Sequence, residues 1–156
     1  MTRVAGRLRD LGVDLLPYTP LPPGAPRLKT LIVSDMLYVS GHGPNTPGVA
    51  SILGKVGRDL DVAEARLAAA RAALNILTTI EHEVGLDRVL QLVKVLGMVN
   101  SAEGFTDQPA VIDGASDMFI AAFGDQAGLH TRSAVGLAEL PGGMPVELEL
   151  QAVLRS

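Results

Sequence analysis

The sequence predicts an α+β domain, in which helices pack on one face of a single mixed β-sheet. Three observations carry that expectation. Two stretches with helical character, 61–84 and 108–124, are rich in alanine and other apolar residues. They alternate with short β-rich runs, so the order reads ββ-α-β-α-ββ. In the closing run "VELELQAVL", Val146, Leu148, Leu150, Ala152 and Leu154 share one face, while Glu147, Glu149 and Gln151 share the other. The apolar face is expected to meet the helices, and the polar face to meet water or another subunit. A chain of 156 residues fits one domain with a real core. Aromatics make up only 3%, so Leu, Val, Ile and Ala must fill that core.

The elements follow in chain order. "RVAGRLRDL", 3–11, reads as a short helix closed by Gly12. "LLPYTPLPPGAPRL", 15–28, holds five prolines; lacking backbone donors and fixed in φ, they predict an extended arm outside the core. On that reading, removing residues 1–14 should lower the melting temperature only slightly. "KTLIVSDMLYVSG", 29–41, predicts two strands turning at Ser34-Asp35, and "GHGPNTPG", 41–48, a loop. The clearest element runs from Asp61 to Val84: Asp61 with Glu64 has the form of a capping box, and Gly85 stands where a helix stop is wanted. "VLQLVKVLGMVNS", 89–101, reads as a long buried strand. A second helix spans 108–124, with Pro109 early, Gly124 at its end and Gly114 inside weakening it. "HTRSAVGLAELPGGMPVELELQAVL", 130–154, reads as two strands joined by a Pro-Gly-Gly turn, a hairpin. Residues 1–24 are therefore an N-terminal helix and arm, and 25–156 one domain.

Composition narrows the function classes. The net charge is −4 and the thirteen basic residues are scattered, so no nucleic-acid partner is expected. With no cysteine, disulfides, thiolate metal sites and cysteine nucleophiles are excluded. His42, His82 and His130 show no ligand spacing, so no metal is expected. No apolar run is long enough for a membrane span, and the N-terminus lacks a signal-like apolar stretch. A cytoplasmic location is the expectation.

Two charges stand out near the C-terminus. Arg132 opens an apolar strand, where a guanidinium is costly unless it stays wet or meets an anion. From the residues alone it is either a structural partner of Glu147 or Glu149, or the receptor of a ligand carboxylate, for which its two-pronged donor set is suited. Glu147 is either a solvated strand residue or a carboxylate tuned by partial burial to activate water. Glu149 reads as a structural or intersubunit partner. His42 and His130 lie near the two ends of the same region and could move a proton. Ser40 lacks a nucleophile elbow and reads better as a hydrogen-bond donor to substrate. The 41–48 loop lacks the Lys-Ser/Thr ending of a phosphate loop and reads as a plain turn.

"YVSGHGP" (38–44), "RSAVGLAELP" (132–141) and "VELELQAV" (146–153) resemble the Rid/YjgF family, also labelled endoribonuclease L-PSP. The resemblance covers roughly 25–155. It implies a chorismate-mutase-like fold, homotrimers with clefts between subunits, and hydrolysis of small enamines and imines from amino-acid metabolism to 2-keto acids and ammonia. It assigns the substrate carboxylate to Arg132, the water to Glu147, and cleft contacts to Ser40 and Gly41. His42, Asp113, Ala134 and His130 fall in the same region. No cofactor is implied, because an imine is already an electrophile. The chain departs from the family pattern at three places that bear on the substrate: Ala134 where a cysteine is common, Arg27 where a tyrosine stands, and Asp113 where an asparagine stands. With its N-terminal arm, it resembles a divergent subgroup.

Three functions compete. The first is a deaminase of small imines or enamines. The second is a non-catalytic trimer that binds a small carboxylate-bearing metabolite, which Ala134 and the altered N-terminal segment favour. The third, an RNA-cleaving translation inhibitor, is opposed by the acidic balance and the shortage of stacking aromatics.

Overall fold

The computed structural model describes residues 3–155. A five-stranded mixed sheet is covered on one face by two long helices, with a short third helix at their side. The elements are α1 (Arg3–Asp10), β1 (Thr30–Val33), β2 (Met36–His42), α2 (Val62–Glu83), β3 (Val89–Asn100), α3 (Gln108–Gly128), β4 (Thr131–Leu137) and β5 (Val146–Leu154). The sheet order is β1-β2-β5-β3-β4, antiparallel throughout except for β3 and β4, which run parallel.

The expected hairpin of 130–154 does not form. β3, α3 and β4 make a β-α-β unit, which brings β4 in parallel along one side of β3. β5 must then take the other side of β3, so the Pro141–Gly143 turn carries the chain past β3 rather than folding it back on itself. At the other end, β1 and β2 do turn tightly at Ser34-Asp35, and Ser34 takes a φ of 56°.

Helix α2 begins as its sequence requires. The Asp61 carboxylate accepts the Glu64 N–H at 2.8 Å, and the Glu64 carboxylate accepts the Asp61 N–H at 2.9 Å. Such a cap is worth about 1 kcal/mol. At the other end, Gly85 has a φ of 94° and its N–H reaches Ile80 O at 2.7 Å. Ala65, Ala68, Ala69, Ala72 and Ala73 are fully buried, which lets α2 lie close to its neighbours. Gly114, the weak point of α3 in the sequence, is needed there: a Cβ would overlap the carbonyl oxygen of Arg66 on α2. α3 breaks at Gly124, φ 81°, and continues for one more turn.

The N-terminal segment departs from expectation. Leu8 is 0% exposed and Val4 5%, and α1 packs against α3 and the turn at 86–88. Asp87 caps α1, accepting the N–H groups of Arg3 at 2.7 Å and Val4 at 3.1 Å. The arm after it is tied down as well. Leu15 and Leu16 pack on the core, the Leu16 N–H donates to Thr78 Oγ1 at 3.0 Å, and Tyr18 donates to Glu83 while stacking on His82. Eight residues with one apolar stripe cannot reveal where they dock, and the cap that holds them lies far along the chain.

The opposite face of the sheet carries no helix. Leu31, Val33, Tyr38 and Val135 stand out from it at 40–54% exposure. Half-buried Leu96 and Met98 lie between them on β3.

Candidate functional site

Register decides what the sheet brings together. Glu147 pairs with Met98, which pairs with Val135; Arg132 pairs with Val95. Val135 and Arg132 are three residues apart on β4, so Glu147 and Arg132 point to opposite faces of the sheet. Their strands are also separated by β3. Neither Glu147 nor Glu149 is the partner of Arg132.

Arg132 faces the helices. Its Nη1 donates to Asp113 Oδ1 at 2.8 Å and to Ser116 Oγ at 3.2 Å, and its Nη2 reaches the carbonyl of Pro109 at 3.4 Å. Asp113 also lies 3.7 Å from Arg66, which pairs with Asp117 at 2.8 Å. The result is an alternating run of charges along the α2–α3 edge. Among the described residues, Nε of Arg132 has no hydrogen-bond acceptor, so one edge of the guanidinium is still open to an anion. Ala134 lies on the same face and packs against the core.

His130 joins this cluster through a residue the sequence reading missed. Its Nδ1 is 2.7 Å from Gly128 O and its Nε2 is 3.0 Å from Ser116 Oγ. A carbonyl can only accept, so Nδ1 donates to Gly128, and in that tautomer Nε2 accepts from the serine. Ser116 thus donates to His130 and accepts from Arg132. It stands one helical turn after Asp113, a spacing that puts both side chains on one face of α3. That spacing is a sequence signal, but it points nowhere until β4 is placed beside the helix.

The second cluster gathers where β2 meets β5. Glu147 is half-buried and, among the described residues, has neither a hydrogen-bond donor nor an ion-pair partner. Burial, and then the charge of Glu149, push its carboxyl above the usual carboxylate range. The carboxylate lies against Gly41, where a Cβ would overlap Oε1; this is why Gly41 is glycine. The β2–β5 register slips between Val39 and His42, which sets Ser40 and Gly41 beside that carboxylate. Ser40 Oγ is buried without a partner. Next to it on the uncovered face, a concavity of about 390 Å³ is lined by Tyr38, Ser40, Lys94, Leu96, Glu149 and Gln151.

His42 turns away to the helix side. Its Nδ1 donates to Ser40 O at 2.6 Å, so its Nε2 accepts from Thr79 at 2.9 Å. Burial pushes the ring below the usual histidine range. This is a structural, neutral histidine. Among the described residues no three His, Asp or Glu side chains converge as a metal-binding set, and no helix is long and apolar enough to cross a membrane.

One chain therefore holds two separate clusters: Ser40, Gly41 and Glu147 on the uncovered face, and Arg132, Asp113, Ser116 and His130 on the helix side of β4. Two strand spacings, about 10 Å in the sheet plane, separate β5 from β4.

Comparison with known proteins agrees with this architecture. The sequence profile of the family described as "YjgF/chorismate mutase-like, putative endoribonuclease" matches residues 25–144. Protein TCP17 of Trypanosoma cruzi is 39% identical over 149 residues, covering 94% of this chain and 91% of that protein. The Agrobacterium tumefaciens protein Atu1372, of unknown function, is 36% identical with a TM-score of 0.86, over 97% of this chain and 92% of the other. A Shewanella oneidensis protein described as an endoribonuclease of the same provisional kind is 28% identical with a TM-score of 0.89, over 98% and 100%. The YjgF gene product of E. coli shares the fold at a TM-score of 0.58 and 23% identity, over 85% of this chain and 91% of the other.

Proposed function

The chain belongs to the YjgF/chorismate mutase-like family, and on that footing we propose that it hydrolyses small imines or enamines at sites formed between copies of itself. The observation that carries this reading is Glu147. A half-buried carboxylate with no partner is expensive to maintain, and its raised pKa suits it to take a proton from water near neutral pH. An uncovered sheet face that mixes apolar side chains with Lys94, Glu149 and Gln151 surrounds it. A neighbouring copy seated on that face would supply the anion-binding half-site around Arg132, which the same chain cannot bring to its own Glu147. The family's homotrimer is the assembly proposed.

The chemistry follows from the two halves. The open edge of Arg132 holds the carboxylate of a 2-imino acid, with Asp113 and Ser116 fixing the guanidinium. Glu147 accepts a proton from water as the water oxygen bonds to the imine carbon. The same carboxyl returns that proton to nitrogen, giving a carbinolamine, and then carries the hydroxyl proton to the amine as the C–N bond breaks and the C=O bond forms, releasing ammonia and leaving a 2-keto acid. No step needs an oxidant or a cofactor, so none is proposed.

The test is incubation of the purified protein with freshly generated 2-aminoacrylate, following pyruvate and ammonia. Wild type should release pyruvate faster than the uncatalysed control, and Glu147→Gln should not. A second reading is supported by the Asp113–Arg132 pair, which partly occupies the clamp: a trimer that binds a small carboxylate metabolite without turnover. Binding of 2-ketobutyrate in calorimetry without any acceleration of 2-aminoacrylate hydrolysis would establish that alternative.

A further inference from the structure

We propose that the cavity beneath the proline-rich arm is a second ligand site, for a small molecule joining an oxyanion, carboxylate or phosphate, to an apolar body. The cavity holds about 350 Å³ and lies on the helix side of the sheet, between residues 17–21 of the arm, the loop at 43–47 and the middle of α2. Glu147 is on the other face. Nothing in the imine reaction uses this space.

Charge gives the first argument. Among the described residues, the charged side chains lining the cavity are Arg27 and Lys29, and both are basic. Lys29 is held in place: it donates to the carbonyl of Thr19 and sits 4.8 Å from the centre of the Tyr18 ring. Arg27 has no hydrogen-bond or ion-pair partner among the described residues. Arg27 opposes Lys29, whose charge Glu83 offsets more strongly, so Arg27 is the cation left for an anion to meet. The nearest carboxylate, Glu83, lies outside the cavity and already accepts from the hydroxyls of Tyr18 and Thr30.

The walls give the second. Most neutral polar side chains of the cavity are already bonded. Thr46 donates to Asn75 at 2.8 Å, Asn75 to Gly43 O at 2.8 Å, and His42 is bonded to Thr79. They form a fixed surface and leave the two cations as the groups with capacity for a ligand. Pro17, Pro20, Leu21 and Pro47 supply apolar contact. Proline makes this cover rigid before any ligand arrives, which reduces the ordering cost of binding.

The third argument is where the arm comes from. Residues 17–21 lie outside the stretch matched by the family profile. The structures similar over 97–98% of this chain have TM-scores of 0.86 and 0.89, against 0.58 for the E. coli protein. The arm side of the cavity thus lies outside the family profile, while its two cations, Arg27 and Lys29, lie inside it.

Titration calorimetry with inorganic phosphate, phenyl phosphate and phenylacetate tests this on the full chain. Phenyl phosphate and phenylacetate should bind at submillimolar concentration, and phosphate more weakly for want of the apolar body. Arg27→Gln should weaken phenyl phosphate binding at least about tenfold, as expected for losing a charge partner. Arg27→Lys should keep part of the affinity, and Arg132→Ala should leave it unchanged. Thermal melts of the Arg27 variants should match wild type. No binding of any of the three anions at millimolar concentration overturns the proposal, as does binding that Arg27→Gln leaves intact. Loss of binding in Arg132→Ala instead would move the anion to the Arg132 half-site and overturn it equally.

Discussion

Glu147 sets function against stability, and the sign can be worked out. A carboxyl whose folded pKa is raised holds its proton more tightly folded than unfolded. The folded state is therefore favoured below the usual carboxylate range, and that advantage is lost as pH rises through the raised folded value. Glu147→Gln should accordingly abolish imine hydrolysis yet melt at a higher temperature than wild type at pH 7, and the gain should vanish in melts carried out below about pH 4. Equal or lower melting at neutral pH would show that the charge has a partner in the assembly. Asp113 bears on the clamp. Asp113→Asn removes the anion that competes for Arg132, so 2-ketobutyrate should bind roughly three- to tenfold more tightly in calorimetry, about 0.7–1.4 kcal/mol. The cost in folding stability should be about 1 kcal/mol or less, because the pair is half exposed. Arg132→Lys should weaken binding nearly as much as Arg132→Ala, since an ammonium cannot reproduce the planar donor edge; retained affinity in the lysine variant would make Arg132 a structural ion. Ser40, Gly41, Arg132 and Glu147 stand out already in the sequence as the candidates. The partner of Arg132 does not, because Asp113 reaches it only once α3 is laid over β4.

Among the elements, α2 was the most legible, since its cap, its alanine face and its stop are all local signals. The pairing of β4 and β5 was the least. Two strands around a Pro-Gly-Gly turn look like a hairpin in any window that omits β3 and α3, and it is the parallel β3–β4 pairing, set by the intervening helix, that denies it. Helix α1 fails for a related reason: its stripe, Val4 and Leu8, is visible, while its docking groove is built by residues some eighty positions later. That burial reverses the expected effect of truncation. Leu8→Ala should cost about 2–4 kcal/mol in denaturant unfolding, as for a fully buried leucine. Deleting residues 1–14 should cost more, and should lower the melting temperature by well over the few degrees that loss of an unattached arm would cause.

For the assembled protein, the expectation is a trimer in which the uncovered sheet face becomes interior. Leu96→Asp places a charge next to Met98 and to the strand partners Ser133 and Glu149, where a lone chain can keep it wet and an assembly cannot. Light scattering should give about three chain masses for wild type and one for Leu96→Asp, and hydrolysis of 2-aminoacrylate should be lost with the trimer. A monomeric variant that still turns over would mean that Glu147 and Arg132 need not meet across copies. The Asp87 cap on α1 also bears on how the chain is born. Residue 3 is made before its anchor, which follows 84 residues later, and the α3 surface that buries Leu8 comes later still. Through that interval the opening segment has nothing to dock on, and closing so long a loop is among the slower steps in folding. The stripe of Val4 and Leu8 therefore stays unburied until those later residues have been made, an interval in which a chaperone that reads apolar nascent segments can hold it.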